Sequence, residues 1–270
     1  MLLASKKRNH WRLVQRFMAG RGSKRRKLLS AHQSTLVLAD LCKECRHKLV
    51  CAFAFLDAET KGEPTSLVVL KHYRPGQHVI DEGEPVTRLH LVCQGLMMVT
   101  VLDESGLETV LHLVGVGGIL GATDNLLDGT RHSMSAKALA HATIAFIKPD
   151  VLSRLIEKTP SFATKFLREI GTQVRFLEQR YRSLHSHDAF TRTAQAFLQM
   201  VHLFGLEATN NNKVVLPIRL KRSILAQIVG ATPETISRVM TQMRKKDLLQ
   251  LMNHQIVIPS VQRLRDTLRL

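Results

Sequence analysis

LKRSILAQIVGATPETISRVMTQMRKKDLL, residues 220–249, predicts two short helices separated by a tight turn. Leu220, Ile224 and Ile228 recur every four residues, which gives the first helix a single apolar face. Gly230 follows at the point where a tight turn needs a residue that tolerates positive φ. Thr232 is a good N-cap for a second helix. Two short helices joined by a glycine turn indicate a helix-turn-helix.

The second helix of this unit has two chemically different faces. Pro233 suits the first helical position, and the helix turns four apolar residues inward: Ile236, Val239, Met240 and Met243. Glu234, Ser237 and Arg238 are left on the outward side, and Glu234 also favours the positive N-terminus of the helix. The second helix of a helix-turn-helix lies in the DNA major groove, so the outward face is a candidate for reading bases.

The outward side chains have the chemistry that base edges require. Arg238 can donate to O6 and N7 of a guanine, Glu234 can accept from the N4 amine of a cytosine, and Ser237 is small enough to approach a thymine methyl group. Five cations flank the unit and would neutralise phosphates: Lys221, Arg222, Arg244, Lys245 and Lys246. An ordinary helical hairpin with solvated charges is the alternative. We favour DNA binding because the turn, cap and base-reading residues fall in register.

The sequence ETISR at residues 234–238 resembles the recognition helix of the FNR branch of the CRP/FNR bacterial transcription regulators. The resemblance implies an α+β chain with an N-terminal cyclic-nucleotide-binding-like β-roll, a long dimerisation helix and a C-terminal winged helix-turn-helix. It implies that Glu234, Ser237 and Arg238 read a TTGAT-type half-site, with Thr232, Thr235 and Arg222 as further DNA-binding candidates. Ser237 stands where the CRP branch usually has glycine. The implied partners are a palindromic double-stranded DNA operator, RNA polymerase and a second copy of the chain.

Length, composition and charge agree with a DNA-binding protein of two domains. The chain has 270 residues, is 44% hydrophobic and carries a net charge of +17, which favours a polyanionic partner. No apolar run approaches the roughly 18 residues that cross a bilayer, so we expect a soluble cytoplasmic protein without a membrane partner. Residues 1–34 hold ten Lys or Arg and no acid. They predict a basic tail, with a transit peptide or a start site assigned too far upstream as alternatives.

Cys42, Cys45 and Cys51 form a C-x2-C-x5-C sequence near the N-terminus. A C-x2-C pair lets two thiolates reach one metal, and tight cysteine runs hold iron–sulfur clusters or zinc. Neighbouring lysines and arginines outnumber the single acid, which lowers the pKa of the thiols. The same spacing in the FNR branch supplies three ligands of a [4Fe–4S] cluster, so the resemblance implies this cofactor. Zinc, or a redox-responsive set of thiols, are the other possibilities.

The fourth cluster ligand departs from the family pattern. The family's fourth cysteine lies late in the β-roll, and this chain has Phe146 in that segment. The remaining cysteine, Cys93, alternates with Leu89 and Leu91 on one face of a predicted strand, as a small core thiol would. Cys93 is therefore either the fourth metal ligand or a core residue, and a ligand other than cysteine is a further possibility.

Residues 67–149 alternate short apolar strands with turn residues, a pattern typical of an antiparallel barrel or roll. Residues 75–85, with the pattern PGQ-x5-GEP, resemble the opening of the cyclic-nucleotide-binding type of β-roll. In the CRP branch the nucleotide is held by a carboxylate and an arginine. The aligned positions here are Gly121-Ala122-Thr123 and His132-Ser133, so we expect no cyclic nucleotide.

The helical part of the chain begins after Asp150. Seven apolar residues recur at intervals of three or four and predict a two-stranded coiled-coil contact between protomers: Phe162, Phe166, Ile170, Val174, Leu177, Tyr181 and Leu184. A helix packed on its own β-roll is the alternative, and one face is expected to do so as well. The predicted domains are an arm at 1–40, a cysteine segment with β-roll at 41–150, a dimerisation helix at 151–187 and the winged domain at 188–270.

The sequence therefore predicts a dimeric, non-enzymatic transcription regulator whose operator binding responds to oxygen or redox state through an iron–sulfur cluster. The first alternative has the same architecture and senses another signal, such as nitric oxide through haem, or zinc and thiol chemistry. The second is a thiol oxidoreductase that uses the C-x-x-C pair, but the sequence lacks the βαβ context of that motif.

Overall fold

This computed structural model describes residues 34–35 and 69–268, apart from positions 105, 107, 128, 205, 207–212 and 254. Nine strands precede the main helical part of the chain: β1 (Ser34–Thr35), β2 (Val69–Tyr73), β3 (His78–Ile80), β4 (Leu89–Gln94), β5 (Met97–Leu102), β6 (Glu108–Val114), β7 (Ile119–Leu120), β8 (Ser135–Ala138) and β9 (Ala142–Ile147). A short helix, α1 (Ala122–Leu126), follows β7. The predicted succession of short strands is confirmed.

The strands form the two antiparallel sheets of a β-roll. One sheet contains the order β2-β9-β4-β7 and the other the order β3-β8-β5-β6. Apolar residues from both sheets, including Val92, Val99 and Ile144, are fully buried between them. Successive side chains of a strand point to opposite faces, so the outer face of the first sheet is a second apolar surface that needs its own cover.

Two helices supply that cover: α2 (Pro149–Lys158) and α3 (Pro160–Ser186). Phe162 and Phe166 at the start of α3 pack with Leu89 and Leu91 of β4 and are almost completely buried. The predicted coiled-coil seam is therefore wrong at its first two positions, because the apolar sheet face of the same chain takes these two rings. Further along α3 the seam residues are exposed, namely Val174, Leu177, Tyr181 and Leu184.

The C-terminal part is a winged helix-turn-helix. Its elements are α4 (Ala189–Leu203), β10 (Val214–Val215), α5 (Arg222–Val229), α6 (Pro233–Lys245), β11 (Gln250–Met252), β12 (Gln255–Ile258) and α7 (Val261–Asp266). The three strands form one sheet in the order β10-β12-β11, and β11 with β12 is the predicted wing hairpin. The first helix begins at Arg222, so Leu220 lies before it and packs against the core instead. In the part of the chain that the structure describes, no helix is long and apolar enough to cross a membrane.

Candidate DNA-binding surface

The turn between α5 and α6 depends on Gly230. Its φ is 70°, in the left-handed region that glycine enters without steric cost. The backbone N–H groups of Gly230 and Ala231 both donate to the carbonyl of Ala226, which ends α5 with satisfied hydrogen bonds. A Cβ atom at Gly230 would lie 2.6 Å from Cδ2 of Leu184 on α3. The turn is therefore in close contact with the long helix.

The N-terminus of α6 has the predicted cap. The Thr232 hydroxyl accepts a hydrogen bond of 3.2 Å from the backbone N–H of Thr235, and Pro233 occupies the first turn. Four residues of α6 are buried as predicted: Ile236, Val239, Met240 and Met243. They pack against α4 and α5, so the rotation of α6 about its axis is fixed.

Glu234, Ser237 and Arg238 are exposed on the opposite face of α6. A hydrogen bond from the backbone N–H of Glu234, helped by the Thr232 hydroxyl and the charge of Arg238, lowers the pKa of the Glu234 carboxyl. The carboxylate therefore stays ionised and can accept from a base. The Ser237 hydroxyl donates to the Pro233 carbonyl at 2.9 Å, which leaves its oxygen able to accept. The surface offers a cation, an anion and a small polar group.

Cations surround this face. Lys221, Arg244 and Lys245 are exposed, whereas Arg222 is half-buried. Burial and the nearby charge of Arg244 lower the pKa of Arg222, so the two guanidinium groups lie close enough to repel each other. A phosphate placed between them would remove this repulsion. Thr235, the last of the predicted DNA-binding residues, is half-buried, and its backbone N–H is taken by the cap.

Two arginines outside the helix-turn-helix hold it in place. Arg192 of α4 donates to the carbonyls of Val229 and Gly230, each at 3.0 Å. Arg180 of α3 donates to the carbonyl of Ile228 and, at 3.4 Å, to that of Gln227. These carbonyls are the unpaired acceptors at the C-terminal end of α5, where positive charge is favoured. Sequence reasoning missed both arginines, since their partners are backbone atoms.

Family models match both halves of the chain. A cyclic nucleotide-binding domain model matches residues 70–159, and a Crp-like helix-turn-helix domain model matches residues 191–267. Together the two matches span well over half of the chain. The chain is a CRP/FNR family transcription regulator.

Curated and solved members of the CRP/FNR family resemble this regulator along most of its length. The CRP-like cAMP-activated global transcriptional regulator of Mycobacterium tuberculosis (strain CDC 1551 / Oshkosh) is 25% identical over 208 residues, which are 75% of this chain and 92% of the relative. The structure of FixK2 from Bradyrhizobium japonicum has a TM-score of 0.62 at 22% identity and covers 74% of this chain and 96% of its own. A CRP/FNR family transcriptional regulator from Thermus thermophilus has a TM-score of 0.59 at 20% identity, with coverage of 74% and 98%. These structures share the fold of this CRP/FNR regulator.

The sensor half of this CRP/FNR regulator contains a buried polar cluster at one corner of the roll. Asp124 of α1 accepts a hydrogen bond of 2.7 Å from the Ser133 hydroxyl, and its other oxygen lies 3.2 Å from Nδ1 of His132. Asp124 and His132 are buried, and Gly121 lies against the His132 ring. The corner aligned with the nucleotide site of the CRP branch thus contains a carboxylate from α1 that residue alignment did not reveal.

The cysteine positions of this CRP/FNR regulator divide into two groups. Cys42, Cys45 and Cys51 lie outside the described residues. Cys93 of β4 is half-buried and packs on the outer sheet face with Leu89 and Leu91, as its alternation predicted. Within the described ranges, no group of three His, Cys, Asp or Glu side chains could hold a metal ion.

Phe146 is not an equivalent position to Cys93. Phe146 pairs with His90 in the β4–β9 ladder, three residues from Cys93, or about 10 Å along the strand. Its ring belongs to the core between the sheets, whereas Cys93 lies on the outer face. The ring also contacts His90, with centroids 4.9 Å apart. A metal ligand at Cys93 would therefore approach the sheet from the opposite side.

Proposed function

We propose that this protein is a homodimeric regulator of the FNR type, which binds a palindromic TTGAT-type operator and senses oxygen or redox state through a [4Fe–4S] cluster. Membership of the CRP/FNR family is the starting point of the proposal. The single observation that carries the choice of branch is the exposed trio Glu234, Ser237 and Arg238 on α6. Ser237 is the residue that distinguishes this trio from the CRP branch.

Each member of the trio has one role in the proposed readout. Arg238 donates to O6 and N7 of a guanine, while Glu234 accepts from the amine of the paired or adjacent cytosine. Ser237 stands on the same face and approaches a thymine methyl group. Arg222, Arg244 and Lys221 contact phosphates and set the register of α6 in the major groove, without carrying sequence information.

Dimerisation is supported by the outer surface of α3. Val174 is 49% exposed, Tyr181 68% and Leu184 40%, which is unusual for apolar side chains in one row of a long helix. A second copy of α3 would cover this row by coiled-coil packing. Two recognition helices related by two-fold symmetry then require half-sites about one helical turn apart on the DNA. RNA polymerase is the partner that a regulator bound at such a site would contact.

The residues available for a cluster fit its chemistry. Cys42, Cys45 and Cys51 have the spacing that tight iron–sulfur sites use, and thiolates are the ligands that such clusters require. Cys93 is half-buried rather than enclosed in the core, so its sulfur can be reached by a ligand-bearing segment. The four cysteines would hold the cluster, which would supply sensitivity to oxygen. The hydrophobic face beneath Cys93, formed with Phe162 and Phe166, would exclude water from that side.

A cyclic nucleotide is not part of the proposal. At the corner where the CRP branch holds its nucleotide, the carboxylate of Asp124 is already hydrogen-bonded by Ser133 and lies beside His132. A ribose hydroxyl would have to displace these internal partners. The arginine that pairs with the cyclic phosphate in that branch is replaced by His132.

The proposal is tested by measuring iron and sulfide per chain after anaerobic purification. We expect about four of each for the wild type, as a [4Fe–4S] cluster requires. Cys42→Ser should lose the cluster. Cys93→Ser should lose it as well if Cys93 is the fourth ligand, and retention in this variant alone would transfer that role to another residue. A wild-type protein without iron or sulfide contradicts the sensing part of the proposal.

The DNA part is tested independently by fluorescence anisotropy with a palindromic TTGAT duplex. A duplex of the same composition with scrambled half-sites is the control. Equal affinity for both would contradict the proposed half-site while leaving non-specific DNA binding intact.

A further inference from the structure

A cavity of about 490 Å³ lies between the β-roll and the helix-turn-helix. Its walls come from β6, from the C-terminal half of α3, from α4 and from the end of α5. Its volume is within the range of sites that hold small molecules. Asp124 and Cys93 are absent from its described lining, so it is separate from the polar corner of the roll and from the proposed cluster. We call it the hinge cavity.

The charges of the hinge cavity are unbalanced. Arg180, Arg182 and Arg192 line it, and the described lining contains no aspartate or glutamate. Arg180 is half-buried, and burial together with the charge of Arg192 lowers its pKa. Two guanidinium groups that destabilise each other in a partly buried space are stabilised by an anion placed near both. The cavity therefore favours a ligand with negative charge.

His112 provides a second, independent sign of a ligand. Its side chain is buried, with 9% of the residue exposed, and it lines the hinge cavity. Its Nδ1 atom has no hydrogen-bond partner among the described residues. An unpaired buried polar atom costs free energy, and a ligand that supplies its partner recovers that loss. Burial, with a contribution from Arg180, lowers the pKa of His112 to about 4, so the ring is neutral at pH 7.

The rest of the cavity wall is largely apolar. Phe176, Leu198, Val110 and Ile228 contribute hydrocarbon surface on different sides. A charged ligand without apolar surface would leave these walls in contact with water. Binding sites of this composition take molecules that are mostly apolar and carry a few polar groups.

We propose that the hinge cavity binds a small amphipathic carboxylate, which acts as a second effector of this regulator. The carboxylate group is bound by the arginines and by His112, and the hydrocarbon part lies against Phe176 and Leu198. Arg180 and Arg192 donate to the carbonyls of Ile228, Val229 and Gly230 at the end of α5. A carboxylate competes with these carbonyls for the guanidinium groups, so its binding changes the attachment of the helix-turn-helix. The effect on DNA rests on the proposed function.

The test uses octanoate as the probe and 1-octanol as its neutral match, added to the full-length protein and followed by isothermal titration calorimetry. We expect saturable binding of octanoate and at least tenfold weaker binding of octanol. Arg182→Gln should weaken octanoate binding about tenfold, because exposed Arg182 lines the cavity without a part in holding α5. Arg175→Gln, an exposed arginine of α3 outside the cavity, should leave it unchanged.

Two further variants separate the cavity from general effects on folding. His112→Phe should weaken octanoate binding, whereas His90→Phe should not, although both histidines are buried with an unpaired Nδ1 atom. Gln199→Trp should fill the cavity and abolish binding. Octanoate binding that is absent in the wild type, or unaffected by all three cavity variants, would overturn the proposal.

Operator affinity is measured with and without octanoate by fluorescence anisotropy. We expect a shift of at least threefold in the wild type and no shift in Gln199→Trp. Octanoate that binds without altering operator affinity would overturn the effector role. Failure of the proposed operator is distinguishable, because octanoate would then still bind and respond to Arg182→Gln while the TTGAT duplex would not be preferred.

Discussion

The DNA-reading end of α6 and the polar corner of the β-roll are built in opposite ways. Glu234 and Ser237 are positioned by partners within four residues, through a cap and a hydrogen bond to the preceding turn. Asp124 and His132 meet across eight residues and two elements, and both are buried. The first arrangement depends on helix geometry alone, whereas the second exists only when the roll is folded. A change at the first should affect recognition, and a change at the second should affect stability.

Acid should separate the two regions most strongly. Burial lowers the pKa of His90 to about 3, and His112 is lowered to about 4, from an ordinary value of 6.5. Below pH 6.5 the unfolded chain therefore binds protons that the folded chain does not, so stability falls as the pH falls towards the folded pKa values. Each histidine contributes a loss of about 1.4 kcal/mol per pH unit in this window. Urea unfolding between pH 6.5 and 4.5 measures the slope.

The histidine variants provide the control for the acid experiment. His90→Phe and His112→Phe should each reduce the slope, since the replaced ring has no proton to bind. A slope equal to that of the wild type in both variants would mean that these histidines do not account for the acid sensitivity.

Removing the carboxylate of the roll corner should have the next largest effect. Asp124→Ala leaves His132 and Ser133 without their buried acceptor and should lower the free energy of unfolding by about 3 kcal/mol. The matched control is Asp81→Ala, which removes an exposed aspartate 2.5 Å from His78. That change should cost less than about 1 kcal/mol. Similar losses in the two variants, measured by urea unfolding, would contradict the distinction between buried and local pairs.

Arg238→Ala tests the other side of the comparison. It should cost about 1–3 kcal/mol of binding free energy at one base pair of each half-site, with no loss of folding stability. Arg244→Ala is the control and should weaken binding by a similar factor on every sequence, as a phosphate contact does. Anisotropy titrations against single-base variants of the operator make the comparison. Unchanged discrimination at every position in Arg238→Ala would refute the docking of α6.

Two glycine substitutions give the smallest effects, with opposite signs. Gly230→Ala forces a side chain into positive φ beside Leu184 and should destabilise the fold by about 1–2 kcal/mol. Gly171→Ala lies within α3, where an added Cβ meets nothing within 4 Å, and should stabilise it by about 0.5–1 kcal/mol. Thermal unfolding distinguishes the signs, and a stabilised Gly230→Ala would show that the turn does not need glycine.

The sequence predicted best what short-range geometry decides. The burial of Ile236 and Met240, the cap at Thr232 and the turn at Gly230 follow from helix periodicity and from backbone preference. Phe162 was assigned to the partner helix because periodicity gives the face of a residue but not the surface that covers it. The outer sheet face of the roll competes for that ring, and it is assembled from strands far away in the sequence.

Long-range contacts to backbone atoms were not predictable. Arg180 and Arg192 bind carbonyl groups 37 to 48 residues away, and every residue type presents the same carbonyl. The pairing of Asp124 with His132 was missed for a related reason, since α1 brings in a carboxylate that a linear comparison of nucleotide-binding positions does not count. The exposure of Glu234 and Arg238, by contrast, needed only the 3.6-residue period.

The attachment of α5 by Arg180 and Arg192 has a thermodynamic consequence. A coupling free energy between two sites acts with equal size in both directions. If a signal received by the roll or the hinge changes operator affinity through these arginines, the operator must change the affinity for that signal by the same factor. Copies bound at a promoter would then respond at a different concentration of signal from copies free in solution. Each operator sequence would set its own response threshold, according to the strain that it places on α5.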